Sequence, residues 1–239
     1  MLRSAFFAAA LSYLAGAALA SPIAPTFTSF ENLPGATFGG SGIPTEPTAI
    51  TRFTASSGDN ITLGLAATPR FDSEPLGNDG NGTYFAKAGS KTVGPSNLLG
   101  ALWNFSFYIH SDGAGGGTLA DLGLRIFYDF DPGIGTNILE LGILGGPTPS
   151  VSLIEGSENL LFGFLNDDSL APAVIPPLFD SFDPNAAGEY TFAIESTAED
   201  QRVAINVVVS PVPLPAGLPL VLGGFAALGL LGRRRRRRS

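Results

Sequence analysis

Between Trp103 and His110 the chain alternates. Trp103, Phe105, Phe107 and Ile109 are apolar, and Asn104, Ser106, Tyr108 and His110 between them are polar or amphipathic. A period of two residues puts one set on each face of an extended strand. The pattern returns at Leu122, Leu124, Ile126, Tyr128 and Phe130. It returns again at Tyr190, Phe192 and Ile194, opposite Glu189, Thr191 and Glu195, and last at Val203, Ile205, Val207 and Val209. Weaker strand candidates are Ala49 to Thr54, Asn60 to Ala67, Thr83 to Ala88, Asn137 to Leu141, Val151 to Ile154 and Leu160 to Leu165. Turn-forming runs separate them: Ser57 to Asn60, Asn78 to Gly82, Asp112 to Gly117, Asp131 to Gly133 and Asp183 to Asn185. Roughly eight to ten strands at this spacing predict an all-β domain, an antiparallel β-sandwich of jelly-roll or Ig-like kind, with a closed barrel as the rival. No internal repeat is visible, and no sustained 3.6-residue period occurs away from the two ends.

The ends break the pattern. Residues 1–20 carry Arg3, then an almost wholly apolar run from Ala5 to Leu19, then Ala18-Leu19-Ala20 ahead of Ser21. This is the layout of a signal peptide, cleaved between Ala20 and Ser21, and its apolar run is shorter than the ~20 residues of a membrane span. Residues 21–47 are rich in proline and glycine and read as an extended leader able to add an edge strand. The strand-like body follows over 48–210. The final segment, 212–239, holds Val212-Pro213-Leu214-Pro215-Ala216, an uncharged stretch from Gly217 to Gly232, and Arg233, Arg234, Arg235, Arg236, Arg237 and Arg238 before Ser239. The stretch over 217–232 predicts a transmembrane helix, with the arginines on the cytoplasmic side and the body outside. At 1.5 Å per residue it spans only ~24 Å, which the preceding pentapeptide and the reach of arginine stems extend. Two prolines at alternate positions keep 212–216 extended and outside the helix.

Pentapeptide, apolar stretch and terminal arginine cluster, in that order, resemble the VPLPA-CTERM sorting signal, a variant of the PEP-CTERM signals of Gram-negative bacteria. The resemblance covers 28 residues, Val212 to Ser239. It implies recognition by an exosortase-like membrane protease that cuts near Val212 to Ala216, so this chain is the substrate and not the enzyme. It also implies a transient stay in the inner membrane with the body outside the cytoplasm, then transfer to the cell surface or the medium. Association with exopolysaccharide is a further expectation from the family.

Charge sharpens that division. Thirteen bases face 21 acids overall, but seven of the bases are Arg3 and the terminal six. Residues 21–210 keep six bases against all 21 acids, a net charge of −15. Such a body suits solubility or divalent cations and excludes nucleic acid, whose phosphates require Lys and Arg. The absence of cysteine excludes disulfide staples, thiol catalysis and thiolate metal sites.

Little in the body spells out chemistry. His110 is the only histidine, beside Ser111-Asp112 at a strand end, the usual place of a solvated polar residue and not of a catalytic base. Paired carboxylates could hydrolyse a glycan, but no spacing singles out a pair. Asp129 and Asp131 lie on the same side of an extended segment before Pro132-Gly133 and form a weak calcium candidate, with Asn78 to Gly82 weaker still. Ordinary turn chemistry, in which Asp and Asn cap their own backbone, is the favoured account of both. The glycine-rich Ser111 to Thr118 lacks the Lys-Ser/Thr of a phosphate loop and reads as a flexible hairpin loop. Asn60-Ile-Thr62, Asn81-Gly-Thr83 and Asn104-Phe-Ser106 fit a glycosylation pattern that, in a bacterial chain, is coincidental. Tyr84, Tyr108, Tyr128 and Trp103 raise sugar stacking, although Trp103 shares a face with Phe105 and Phe107 and so belongs with core packing. The expectation is a non-enzymatic, cofactor-free surface or matrix protein. A carbohydrate-binding module is the alternative and a glycan hydrolase the third reading.

Overall fold

The structure, a computed structural model, describes residues 22–94, 97–146 and 150–211. The signal peptide with its Ala20–Ser21 junction, the Val212 to Ala216 motif, the 217–232 span and Arg233 to Arg238 lie outside the described residues.

The chain is all-β. In order, the strands are β1 (Ser29–Glu31), β2 (Thr48–Thr54), β3 (Asn60–Pro69), β4 (Gly77–Asn78), β5 (Thr83–Lys87), β6 (Ser90–Thr92), β7 (Leu99–Ala101), β8 (Trp103–Ser111), β9 (Leu124–Tyr128), β10 (Gly142–Leu144), β11 (Leu153–Glu158), β12 (Val174–Ile175), β13 (Gly188–Ser196) and β14 (Gln201–Ser210). Helix among the described residues is limited to three 3-10 turns, Leu119–Leu122, Gly163–Asn166 and Asp168–Leu170. Five strands form one sheet in the order β1-β2-β3-β8-β11, and seven form another in the order β12-β10-β9-β13-β14-β5-β4. The short pair β6-β7 stands apart.

The two sheets meet through the residues that the alternation places on one face. Phe105 of β8 stacks on Phe192 of β13, with ring centroids 5.0 Å apart. Trp103 meets the same ring edge-on at 5.8 Å. From β14, Val203, Ile205, Val207 and Val209 are buried in the same cluster. Each large apolar side chain so enclosed contributes about 1.5–3 kcal/mol.

Strand direction departs from expectation. Pairing is antiparallel except that β5 runs parallel to β14, from Thr83 opposite Asn206 to Lys87 opposite Ser210. Apolar alternation is the same for either direction, so it cannot report this. A parallel pair needs a long crossover, and here the crossover contains everything from β6 to β13. The Ser111 to Thr118 loop likewise is no hairpin, since it carries the chain from β8 in one sheet to β9 in the other.

Two weak candidates are not strands. At Asn137 to Leu141 the Asn137 side chain accepts the Leu139 N–H at 2.9 Å, and Glu140 N–H closes a turn onto the Asn137 carbonyl. At Leu160 to Leu165 the Asn159 side chain accepts Leu161 N–H, and the chain winds into the Gly163–Asn166 turn. Asparagine side chains compete with strand pairing by bonding the local backbone.

Residues 22–47 bind to both sheets. Thr26 exchanges backbone bonds with Ala204 of β14, and Ile23 packs with Phe127, Ala193 and Ala204. β1 then pairs with β2. Beyond it, Leu33 and Phe38 are buried at 3% and 1% exposure. Leu33 approaches so closely that a Cβ on Gly64 of β3 would lie 2.6 Å from its Cδ2.

Candidate functional site

The polar face of β8 is not bare. Asn104 donates to Ser157 of β11 at 3.0 Å, Ser106 shares bonds with Thr68 of β3 and Ser157, and Asn159 donates to the Asn104 side chain. Asn159 is itself fully buried. It also donates to the carbonyls of Ala101 and Trp103 and accepts from Ala101 N–H, which ties β7 to β8. Hydrogen bonding of this completeness lets polar residues lie under cover without the penalty of unsatisfied groups.

Above this polar floor opens a cleft of about 870 Å³. Phe38 to Ile43 form one wall, Pro69 to Ser73 another, and Glu155 to Glu158 of β11 with Phe162 the rest. The first wall is pinned by Glu155, whose carboxylate accepts Thr37 N–H, the Thr37 hydroxyl and Phe38 N–H at 2.8, 2.6 and 2.8 Å. Burial alone would raise the Glu155 carboxyl; the Thr37 and Phe38 bonds outweigh it and hold the group below the usual carboxylate range.

Arg70 is the cation of the cleft. Directly after β3, it is 3% exposed, with its guanidinium carbon 5.3 Å from the Phe71 ring centre and 5.8 Å from that of Phe162. Nη2 donates to the Leu98 carbonyl at 2.8 Å, while Nε is buried and has no partner among the described residues. Gly100 lies directly beneath it, so that a Cβ there would displace the guanidinium. Burial lowers its pKa from the ordinary value. Glu158, at the end of β11, has its carboxyl raised by burial. Phe71 remains 59% exposed at the rim.

The sequence candidates lie elsewhere. Asp129 is 1% exposed and accepts Asp131 N–H at 2.9 Å and Thr191 N–H at 3.1 Å. Burial pushes its carboxyl up to about 6 despite those bonds. Asp131 accepts Gly133 N–H. Asp129 thus ties its turn to β13 and Asp131 closes the turn at Gly133, and no group of three His, Asp or Glu that could hold a metal occurs among the described residues. At Asn78 to Gly82, Asp79 accepts the N–H groups of Asn81 and Thr83. The Ser111 to Thr118 loop is fastened by Asp59, which accepts Gly115 and Gly117 N–H. Asp112 accepts the Asn60 backbone and side chain, and His110 stacks beside Tyr108 at 6.0 Å.

The aromatic residues singled out for sugar stacking are inside the protein. Trp103, Tyr84 and Tyr128 are at most 1% exposed, and Tyr108 is 9% exposed. Tyr84 donates its hydroxyl to the Pro47 carbonyl at 2.7 Å, and Tyr128 donates to that of Leu165. Burial pushes both hydroxyls above their ordinary range. The rim aromatic, Phe71, and the cation behind it, Arg70, went unmarked in the sequence. The only local signal is a base and an aromatic ring directly after the apolar run of β3. Compared with family models, curated proteins and solved structures, the chain matches none.

Proposed function

We propose that this chain is an exported, non-enzymatic cell-surface or extracellular-matrix protein, handed to an exosortase-like sorting protease and associated with exopolysaccharide. Its body is a β-sandwich of jelly-roll or Ig-like kind. The observation that carries the reading is the unaltered Val212 to Ala216 pentapeptide followed by the 217–232 apolar stretch and Arg233 to Arg238. The fold supports it in one respect. β14 runs to Ser210, whose carbonyl accepts Ala88 N–H at 2.9 Å, so a single residue separates the last strand from the pentapeptide.

Changing Arg233 to Arg238 to serine removes the charge bias that retains the tail without shortening the apolar stretch. Uncut protein then escapes into the periplasm or medium. Changing Pro213 and Pro215 to alanine lets the pentapeptide join the helix. Full-length protein then accumulates in the membrane. Immunoblots against body and tail after fractionation separate the two defects. Processing of the proline variant at the wild-type rate in the native host overturns the sorting assignment.

A further inference from the structure

We propose that the cleft at the β11 edge of the five-stranded sheet is a binding site for a neutral saccharide, with Phe71 as its stacking platform and Arg70, Asn104, Ser157 and Glu158 as its hydrogen-bonding groups. The size fits, because ligand sites run to about 300–1,000 Å³ and this cleft measures about 870 Å³. Its chemistry pairs an apolar surface with groups of both hydrogen-bonding senses. A sugar ring offers the complement, with C–H groups on its faces and hydroxyls, each both donor and acceptor, around its rim.

Phe71 is 59% exposed, although it lies at the mouth of a cleft beside a buried guanidinium. Arg70 is 97% buried and lines the same space with Nε unpartnered among the described residues. Glu158 lines the cleft with no protein hydrogen bond to its carboxyl among the described residues and can accept from a hydroxyl.

Charge selects the class of sugar. Asp72, Glu155 and Glu158 line the cleft against the single base Arg70. That excess of acid repels uronates and phosphates and leaves neutral glycans favoured. The same excess would draw a basic peptide, but a peptide offers no ring of hydroxyls to match the polar floor.

The proposal deepens the matrix reading and rests on it for the source of the sugar, not for binding in vitro. The full chain, kept in a detergent without a sugar headgroup, is titrated calorimetrically with cellopentaose, laminaripentaose and maltopentaose, and in parallel with tetragalacturonate and pentalysine. At least one neutral pentasaccharide binds saturably. Phe71→Ala and Glu158→Gln each weaken it at least fivefold, with Trp103 fluorescence reporting an intact core, while Leu178→Ala on the remote surface leaves it unchanged. Failure of all three neutral sugars, equal binding by both cleft variants, or preference for tetragalacturonate or pentalysine overturns the proposal. Immunoblots of tail processing in the host are read independently, so loss of sorting and loss of sugar binding are told apart.

Discussion

Strand β8 shows two kinds of interior back to back. On one face Trp103, Phe105 and Phe107 are closed against the opposite sheet by shape, ring on ring. On the other, Asn104 and Ser106 are covered by hydrogen-bonded partners from β3, β11 and the Asn159 side chain, and the cover stops short at the cleft. The first face gains by excluding water wherever it can. The second is held by a limited set of directional bonds, and where they run out a space lined by unpartnered groups remains. A face built by bonding can leave a site that a face built by packing would have filled.

The sharpest way to break the comparison is Phe105→Ala. It removes a fully buried ring from the packed face and is expected to cost about 3–5 kcal/mol. Denaturant unfolding followed by fluorescence of Trp103, the sole tryptophan, measures it. Retention of wild-type stability would show that the sheets do not depend on this contact.

Next comes pH. Asp129 has a carboxyl pushed from 3.8 to about 6, so the folded state holds a proton there that the unfolded state has released. Stability from this group is full below pH 3.8 and is lost as pH rises through about 6, a change of about 3 kcal/mol. The carboxylates that fasten loops behave in the opposite sense. Glu155, Asp59 and Asp112 lie below their ordinary range, so their contribution is present above it and is lost as pH falls. Unfolding curves between pH 4 and 7 should therefore have a shallower downward slope in Asp129→Asn, the remainder coming from Glu158, whose carboxyl is also raised by burial, and keep the full slope in Glu155→Gln.

Glu155→Ala tests the bonded cover directly. Three bonds to Thr37 and Phe38 disappear. Because they lie near solvent, the expected loss is about 1–2 kcal/mol, with faster amide exchange confined to residues 37–40. A protection pattern identical to wild type would mean that Leu33 and Phe38 hold the segment unaided. The smallest effect on stability belongs to Phe71→Ala, within about 0.5 kcal/mol for a surface ring. A larger loss would make Phe71 part of the core after all, and a poor reporter of the cleft.

The four strong alternations were readable without a structure, because burying one face of a strand leaves a period of two in any fold. They are β8, β9, β13 and β14, and they carry the inner core. Short edge strands such as β4, β6 and β12 were not, since two or three residues cannot establish a period. Asn137 and Asn159 ended apparent strands by bonding their own backbone, a choice that turns on side-chain geometry. The cleft was least legible of all. Its groups come from four places, near Phe38, Arg70, Asn104 and Glu158, and nothing in the spacing of those residues marks them as neighbours.

What the chain's own order of residues settles is local or one-dimensional: the period-two faces, the six bases against 21 acids over residues 21–210, the want of cysteine, and the arrangement of motif, apolar stretch and arginines at the end. These follow from composition and from the repeat of a single strand. Direction and partnership belong to the folded molecule. Whether β5 lies parallel to β14, whether Tyr108 is covered or faces water, and whether Arg70 finds a partner depend on contacts between segments far apart in the chain. Such contacts are decided by the joint packing of two sheets and their covering segment, and no single stretch encodes them.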